Sequence, residues 1–342
     1  MKFIRKIYIL VLAVFFGLGM STWLQAKPLT SWLAVVNKKD QTVSIVDLNN
    51  SDNSWVATVG YQPHEVVSAH HGKSVFVANY GNQHVRSRSL ENIPGNTVSV
   101  INTATRLVKT LDLGGSHPCS PHGMAASGDG DRVYVTCEAR QEVVVIDAVS
   151  EQVSHAISTN QAGSHMVVVD SDEKRAYVAN FWHGTVTALD LQNQKILAQI
   201  PTGNGTEGIG LSPDGKFLYV TSVITNQLMK IDTATLEIVG RNYVGENTSP
   251  IRVLVTPDGQ NLVVNVAGRG EVHTFDPVSL ELKAQIKVGS QNIGLAVGGS
   301  GYAYSANMLD GTVSVVNLRS GLEERKIPVG GLPDGVSFFS GE

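Results

Sequence analysis

Paired short apolar runs dominate the chain. In Ala176 to Asp190, A-Y-V-A-N-F-W-H-G-T-V-T-A-L-D, the runs Ala176 to Ala179 and Val186 to Leu189 flank a loop that opens on Asn180 and contains Gly184. Two runs of strand length around such a loop predict a β-hairpin. The frame recurs at Leu33 to Asp47, Val133 to Asp147, Leu218 to Asp232, Leu262 to Asp276 and Ala303 to Asn317, each copy closing fourteen residues after it opens. A seventh copy, Val75 to Asn102, carries thirteen additional residues between Tyr80 and Thr97, including Arg86, Arg88, Pro94 and Gly95, which read as a longer loop. Elsewhere the closing residues stand 41 to 45 residues apart, the period of a propeller blade.

Around each hairpin the pattern places an innermost strand, such as His165 to Val169, and an outer strand, such as Lys195 to Ile200. Turns such as Ser212-Pro213-Asp214-Gly215 and Thr256-Pro257-Asp258-Gly259 follow the innermost strand. The first run begins in a second strand, at Leu33, and Pro333 to Phe338 reads as an innermost strand. The expectation is an all-β, seven-bladed propeller of four-stranded antiparallel blades over residues 27–342, closed by the C-terminal strand joining the N-terminal blade.

Composition fits short strands: 34 Gly and 16% charged residues. A net charge of -4 offers no broad basic surface, so nucleic-acid binding is not indicated. Lys2, Arg5 and Lys6, the apolar run Ile7 to Met20 and the ending Leu24-Gln25-Ala26 read as a signal peptide over residues 1–26. The run is too short for a membrane span, and the mature chain is expected to be periplasmic with no membrane span.

The blocks V-F-V-A-N at Val75, V-Y-V-T-C at Val133, A-Y-V-A-N at Ala176 and L-Y-V-T-S at Leu218, with S-P-D-G-K at Ser212, resemble the YVTN-repeat, or YncE-like, seven-bladed β-propellers. The resemblance covers the mature chain and implies the architecture. Relatives of that architecture include binding proteins, lactonases and haem-carrying redox domains, so the chemistry must come from the residues.

Residues opening the innermost strands gather on one face, at the channel mouth. By repeat position they are His64, His122, His165, Glu207, the Ile251-Arg252 pair, Asn292 and Asp334. Ten histidines exist in the whole chain, so three at one repeat position is a concentration. Adjacent blades make His122, His165 and Glu207 the candidate metal trio, for zinc or copper, because imidazole and carboxylate lone pairs suit such ions. His64, Arg252, Asn292 and Asp334 are ligand candidates, and Trp182 and His183 add a loop aromatic and a further imidazole. The same groups also read as inner-strand polar residues that satisfy one another or channel water. Asn37, Asn79, Asn180 and Asn307, which begin four loops, read as caps on turn backbone. Cys119 and Cys137 are a disulfide candidate, with Cys137 opposite His122; a Cys and His metal site is the alternative. His70-His71-Gly72 reads as a turn on the opposite face.

No G-x-S-x-G elbow, phosphate-binding loop, H-E-x-x-H pair or C-x-x-C-H haem-attachment motif occurs. The first reading is a binding or docking module taking a protein partner or small-molecule ligand on the His-rich face. The alternative is a metal- or cofactor-dependent periplasmic enzyme or redox component, a lactonase-like hydrolase or a haem- or quinone-associated propeller.

Overall fold

The computed structural model describes residues 30–82, 93–299 and 301–341. The expected signal peptide, and Arg86 and Arg88 of the insertion, lie outside the described residues. The described residues form seven four-stranded sheets, in six of which the strands follow chain order from the bore outward. In the seventh, the C-terminal strand Pro333–Gly341 lies inside Thr30–Asn37, with Trp32 opposite Phe339 and Val35 opposite Val336. Among the described residues, no helix is long and apolar enough to cross a membrane.

The paired runs are uninterruptedly apolar because both faces of each blade are covered. Along Arg175–Asn180 and Thr185–Asp190, Ala176, Val178 and Leu189 pack on Tyr134, Val143 and Val145 of the blade before. Tyr177, Ala179, Val186 and Ala188 pack on Leu218, Val220, Met229 and Ile231 of the blade after. Alternate side chains of one strand thus serve two interfaces. The closing acids have a local role: the Asp147 carboxylate accepts from the Val149 and Ser150 amides, and Asp232 from those of Ala234 and Thr235.

The loop-opening asparagines differ from expectation. Instead of capping turn backbone, Asn180 Nδ2 donates across the hairpin to Thr185 Oγ1 (3.1 Å) and Thr187 Oγ1 (2.8 Å). Asn37, Asn79 and Asn307 make the same pair of bonds to Thr42 and Ser44, Thr97 and Ser99, and Thr312 and Ser314. Asn37 and Asn307 also accept from the Gly330 and Gly289 amides, tying in the linker from the previous blade. Each amide is buried, so direct hydroxyl partners replace water.

Cys137 stands where four of the other blades have Asn, and its disulfide to Cys119 ties the linker to the second strand covalently. Its register partner is Pro121, one residue before His122. Part of the insertion is strand rather than loop, since Ser74–Asn82 continues to pair with Ile93–Asn102 through Gly81 with Pro94. The His70–Gly72 turn lies on the opposite face, where Gly72 at φ +81 lets the chain pass under the Ser340 carbonyl.

Asn180→Ala should cost about 1–3 kcal/mol in urea unfolding, because it removes both cross-hairpin bonds and takes the Asn180 donor from the buried Thr187 hydroxyl. Replacing Cys119 and Cys137 together by Ala should cost about 2–4 kcal/mol for the 18-residue separation they span. Unchanged midpoints would refute both roles.

Candidate functional site

Every innermost strand carries one extra residue just after its first position, a β-bulge repeated in all seven blades. Bulges re-aim side chains, and here they turn two successive residues toward the bore. The first paired residues are Pro63, Pro121, Ser164, Thr206, Pro250, Asn292 and Pro333, so the ring position falls one later, on His64, His122, His165, Glu207, Ile251, Ile293 and Asp334.

Asn292 is therefore one residue out of the ring; its amide donates to the Glu271 carbonyl at 2.8 Å. Arg252 lies one residue beyond the ring position, yet its guanidinium crosses the bore to Glu65 of the second blade and also lies 3.4 Å from Glu207. Glu65 escaped sequence reasoning because strict alternation puts it on the face away from His64.

The three imidazoles form a row. Ring centroids of His64 and His122 are 4.0 Å apart, and those of His122 and His165 are 3.7 Å apart. Tyr80 meets His64 and His122 edge-on, each at 5.4 Å. His165 Nδ1 lies 2.6 Å from Glu138 Oε1 and its Nε2 2.7 Å from Glu207 Oε1, while the Tyr80 hydroxyl donates to Glu138 Oε2 at 2.7 Å. His64 Nδ1 is 3.3 Å from Asp334 Oδ2, an ion-pair distance without hydrogen-bond alignment, and Lys38 Nζ reaches the same oxygen at 3.3 Å.

Glu138, Tyr80 and Lys38 share a second repeat position. The residue after each second-strand anchor is Lys38, Tyr80, Glu138, Phe181, Val223, Ala267 or Met308, and each amide there bonds the carbonyl just before its innermost strand. That bond holds all seven in one layer at the mouth. The first four are charged or aromatic and the last three apolar, so the site occupies one side of the ring. This column repeats in the loops, one residue past the strand pattern, and so carries no signal in the strand periodicity.

Two histidines have opposite electrostatics. Burial opposes charge on His165, but the Glu207 carboxylate and the hydrogen bonds to Glu138 and Glu207 outweigh it and raise its pKa to about 9. His165 is an imidazolium donating from both nitrogens. Burial drives His64 down to about 3 despite Asp334, with Lys38, His165 and Arg252 adding to the push. It is neutral at physiological pH.

Among the described residues, two sets of donor atoms lie within 4.8 Å of one another: His64, Glu65 and His122, and His122, Glu138 and His165. The set around His122 and His165 contains Glu138 rather than Glu207. A cation there must displace the proton between His165 and Glu138. The disulfide makes Cys119 and Cys137 unavailable as thiolate ligands. Trp182 is 49% exposed and stands edge-on to Phe181, whereas His183 Nδ1 accepts from the Ala162 amide in the linker before the innermost strand of its blade.

Arg252→Met leaves Glu65 and Glu207 facing the bore without their shared cation and should cost about 3–5 kcal/mol in urea unfolding, partly restored by adding Glu65→Gln. His165 contributes stability that is complete below pH 6.5 and fades as pH rises through about 9. His64, shifted the other way, contributes stability that is lost as pH falls from 6.5 toward about 3. Nitrogen NMR of the two rings checks this; a His165 midpoint near 6.5 would overturn the imidazolium.

The chain is similar over part of its length to two characterised proteins. It is 25% identical to Antigen Lp49 of Leptospira interrogans over 191 residues, 49% of this chain and 40% of that one. It is 27% identical to hydrazine synthase subunit beta of Kuenenia stuttgartiensis over 142 residues, 41% of this chain and 32% of that one. These matches span less than half the length of either relative. Among solved structures, Kuenenia stuttgartiensis hydrazine synthase superposes with a TM-score of 0.71 at 20% identity, covering 84% of this chain and 92% of that one. The periplasmic gluconolactonase PpgL of Pseudomonas aeruginosa gives 0.69 at 17% identity, covering 90% and 99%. A functionally unknown protein from Desulfotomaculum acetoxidans gives 0.73 at 13%, covering 91% and 99%. Likeness at these identities shows the fold. Residues 9–279 match the lactonase, seven-bladed β-propeller family along most of the chain, and the chain belongs to that family.

Proposed function

We propose that the chain is a lactonase-like hydrolase that opens a cyclic ester at the imidazole row. The observation that carries the reading is His64 at a partly open mouth, its Nδ1 3.3 Å from Asp334 Oδ2 and Lys38 reaching the same oxygen. Family membership supports it. Within the family, the V-Y-V-T-C and L-Y-V-T-S blocks favour the YVTN-repeat branch.

The His64 side chain is 13% exposed, against 1% for that of His165, so water meets His64 more readily. Asp334 sits against Nδ1, which assigns Nε2 to the attacking water. Its oxygen adds to the lactone carbonyl as Nε2 takes the proton. The ring C–O bond then breaks, and the proton passes to the leaving alkoxide, giving a hydroxy acid. Lys38, 21% exposed, stabilises the oxyanion, and Asp334 the transient imidazolium.

Export is part of the proposal: residues 1–26 direct it, residues 27–342 form the exported propeller, and the Cys119–Cys137 disulfide suits an oxidising compartment. Docking to a protein partner is the second reading, favoured by the likeness to a protein named as a subunit of hydrazine synthase. Light scattering of the natively extracted protein should show a larger assembly if it holds.

The test is a panel of γ- and δ-lactones. Hydrolysis should occur, and His64→Gln and Asp334→Asn should each lower kcat/KM by about 10²–10⁴-fold with folding retained. A folded wild-type protein that opens no lactone on the panel, or activity indifferent to His64→Gln, would overturn the reading.

A further inference from the structure

On the face opposite the imidazole row, the first and second blades part around a cavity of about 470 Å³. Its position follows from a departure in the repeat. Where other blades turn tightly from third to outer strand, the first inserts the helical turn Ser51–Asn53, and its outer strand Trp55–Thr58 has four residues. The shortened strand leaves Trp55 half-buried at the cavity wall. Trp32 and Phe339 form the inner wall as a stacked pair, with centroids 6.5 Å apart and planes within 15°.

The polar lining has one sign. Lys73 and His71 stand at the rim, the Arg106 guanidinium lies over the Trp55 ring at 5.2 Å, and among the described residues no Asp or Glu lines the cavity. The Thr103 hydroxyl and the Asn102 carboxamide oxygen are engaged by local backbone, leaving Lys73 as the lining group with a full charge to offer. A cationic rim on a net-acidic chain, over three aromatic rings, complements a flat apolar body carrying a negative charge.

We propose that this cavity binds a planar aromatic carboxylate, the ring lying among Trp32, Trp55 and Phe339 and the carboxylate at Lys73. The site is separate from the imidazole row and does not depend on the hydrolase reading. Its ligand would be bound, not turned over, since the lining holds no paired acid and base.

Calorimetric titration of the full-length folded protein with 2-naphthoate and with its neutral counterpart 2-naphthalenemethanol tests this. The expected result is one saturable site for naphthoate, weakened by added salt and about tenfold tighter than for the alcohol, the worth of one charge-assisted contact. Lys73→Gln, at an exposed position, should erase that preference, Trp55→Ala should remove binding, and His64→Gln on the far face should leave it unchanged. Equal affinity for the alcohol, no saturation into the millimolar range, or loss of binding in His64→Gln with retention in Lys73→Gln would overturn the proposal.

Discussion

The closeness of the innermost strands at the bore governs the rest of the molecule. At Gly123, Gly208, Gly294 and Gly335, one residue past the ring position, an added Cβ would collide with the main chain of the next innermost strand. In the remaining blades that position carries Glu65, Met166 and Arg252, and in each case a glycine of the preceding blade makes room: Gly335 against Glu65, Gly123 against Met166, and Gly208 against Arg252. Long side chains enter only where a glycine yields. Once inside, the two charged ones have little water to turn to and pair across the bore.

That pairing organises the chemistry. Arg252 binds Glu65 and Glu207, Glu207 binds His165, and His165 binds Glu138, which Tyr80 holds from its other oxygen. The chain of contacts fixes His165 as a cation, and that positive charge helps keep the His64 ring, two places along the row, neutral. Two imidazoles of one repeat position thus have opposite protonation at the same pH. The difference arises from neighbours supplied by other blades.

The disulfide belongs to the same design. Cys137 immediately precedes Glu138, and Cys119 is three residues before His122, so the bond that replaces an amide clamp in the third blade also braces two residues of the row. The cavity on the far face arises differently, from an irregular outer edge in the first blade, where packing against a neighbour is relaxed.

The sequence by itself determined the ring: strand frames, blade count, closure by Pro333–Gly341, the three histidines and the Cys pair all follow from periodicity. These are properties of one repeat read seven times, and repetition makes a weak local signal strong. It did not determine which side chains meet. Alternation puts Asn292 one residue off and gives no signal for Glu65 or Glu138, because it assumes a regular strand. The bulge in each innermost strand breaks that assumption by inserting a residue. Only the tertiary structure could bring Arg252 to Glu65, 187 residues away, and so set the charge of the row, because that contact depends on ring closure rather than on any local pattern.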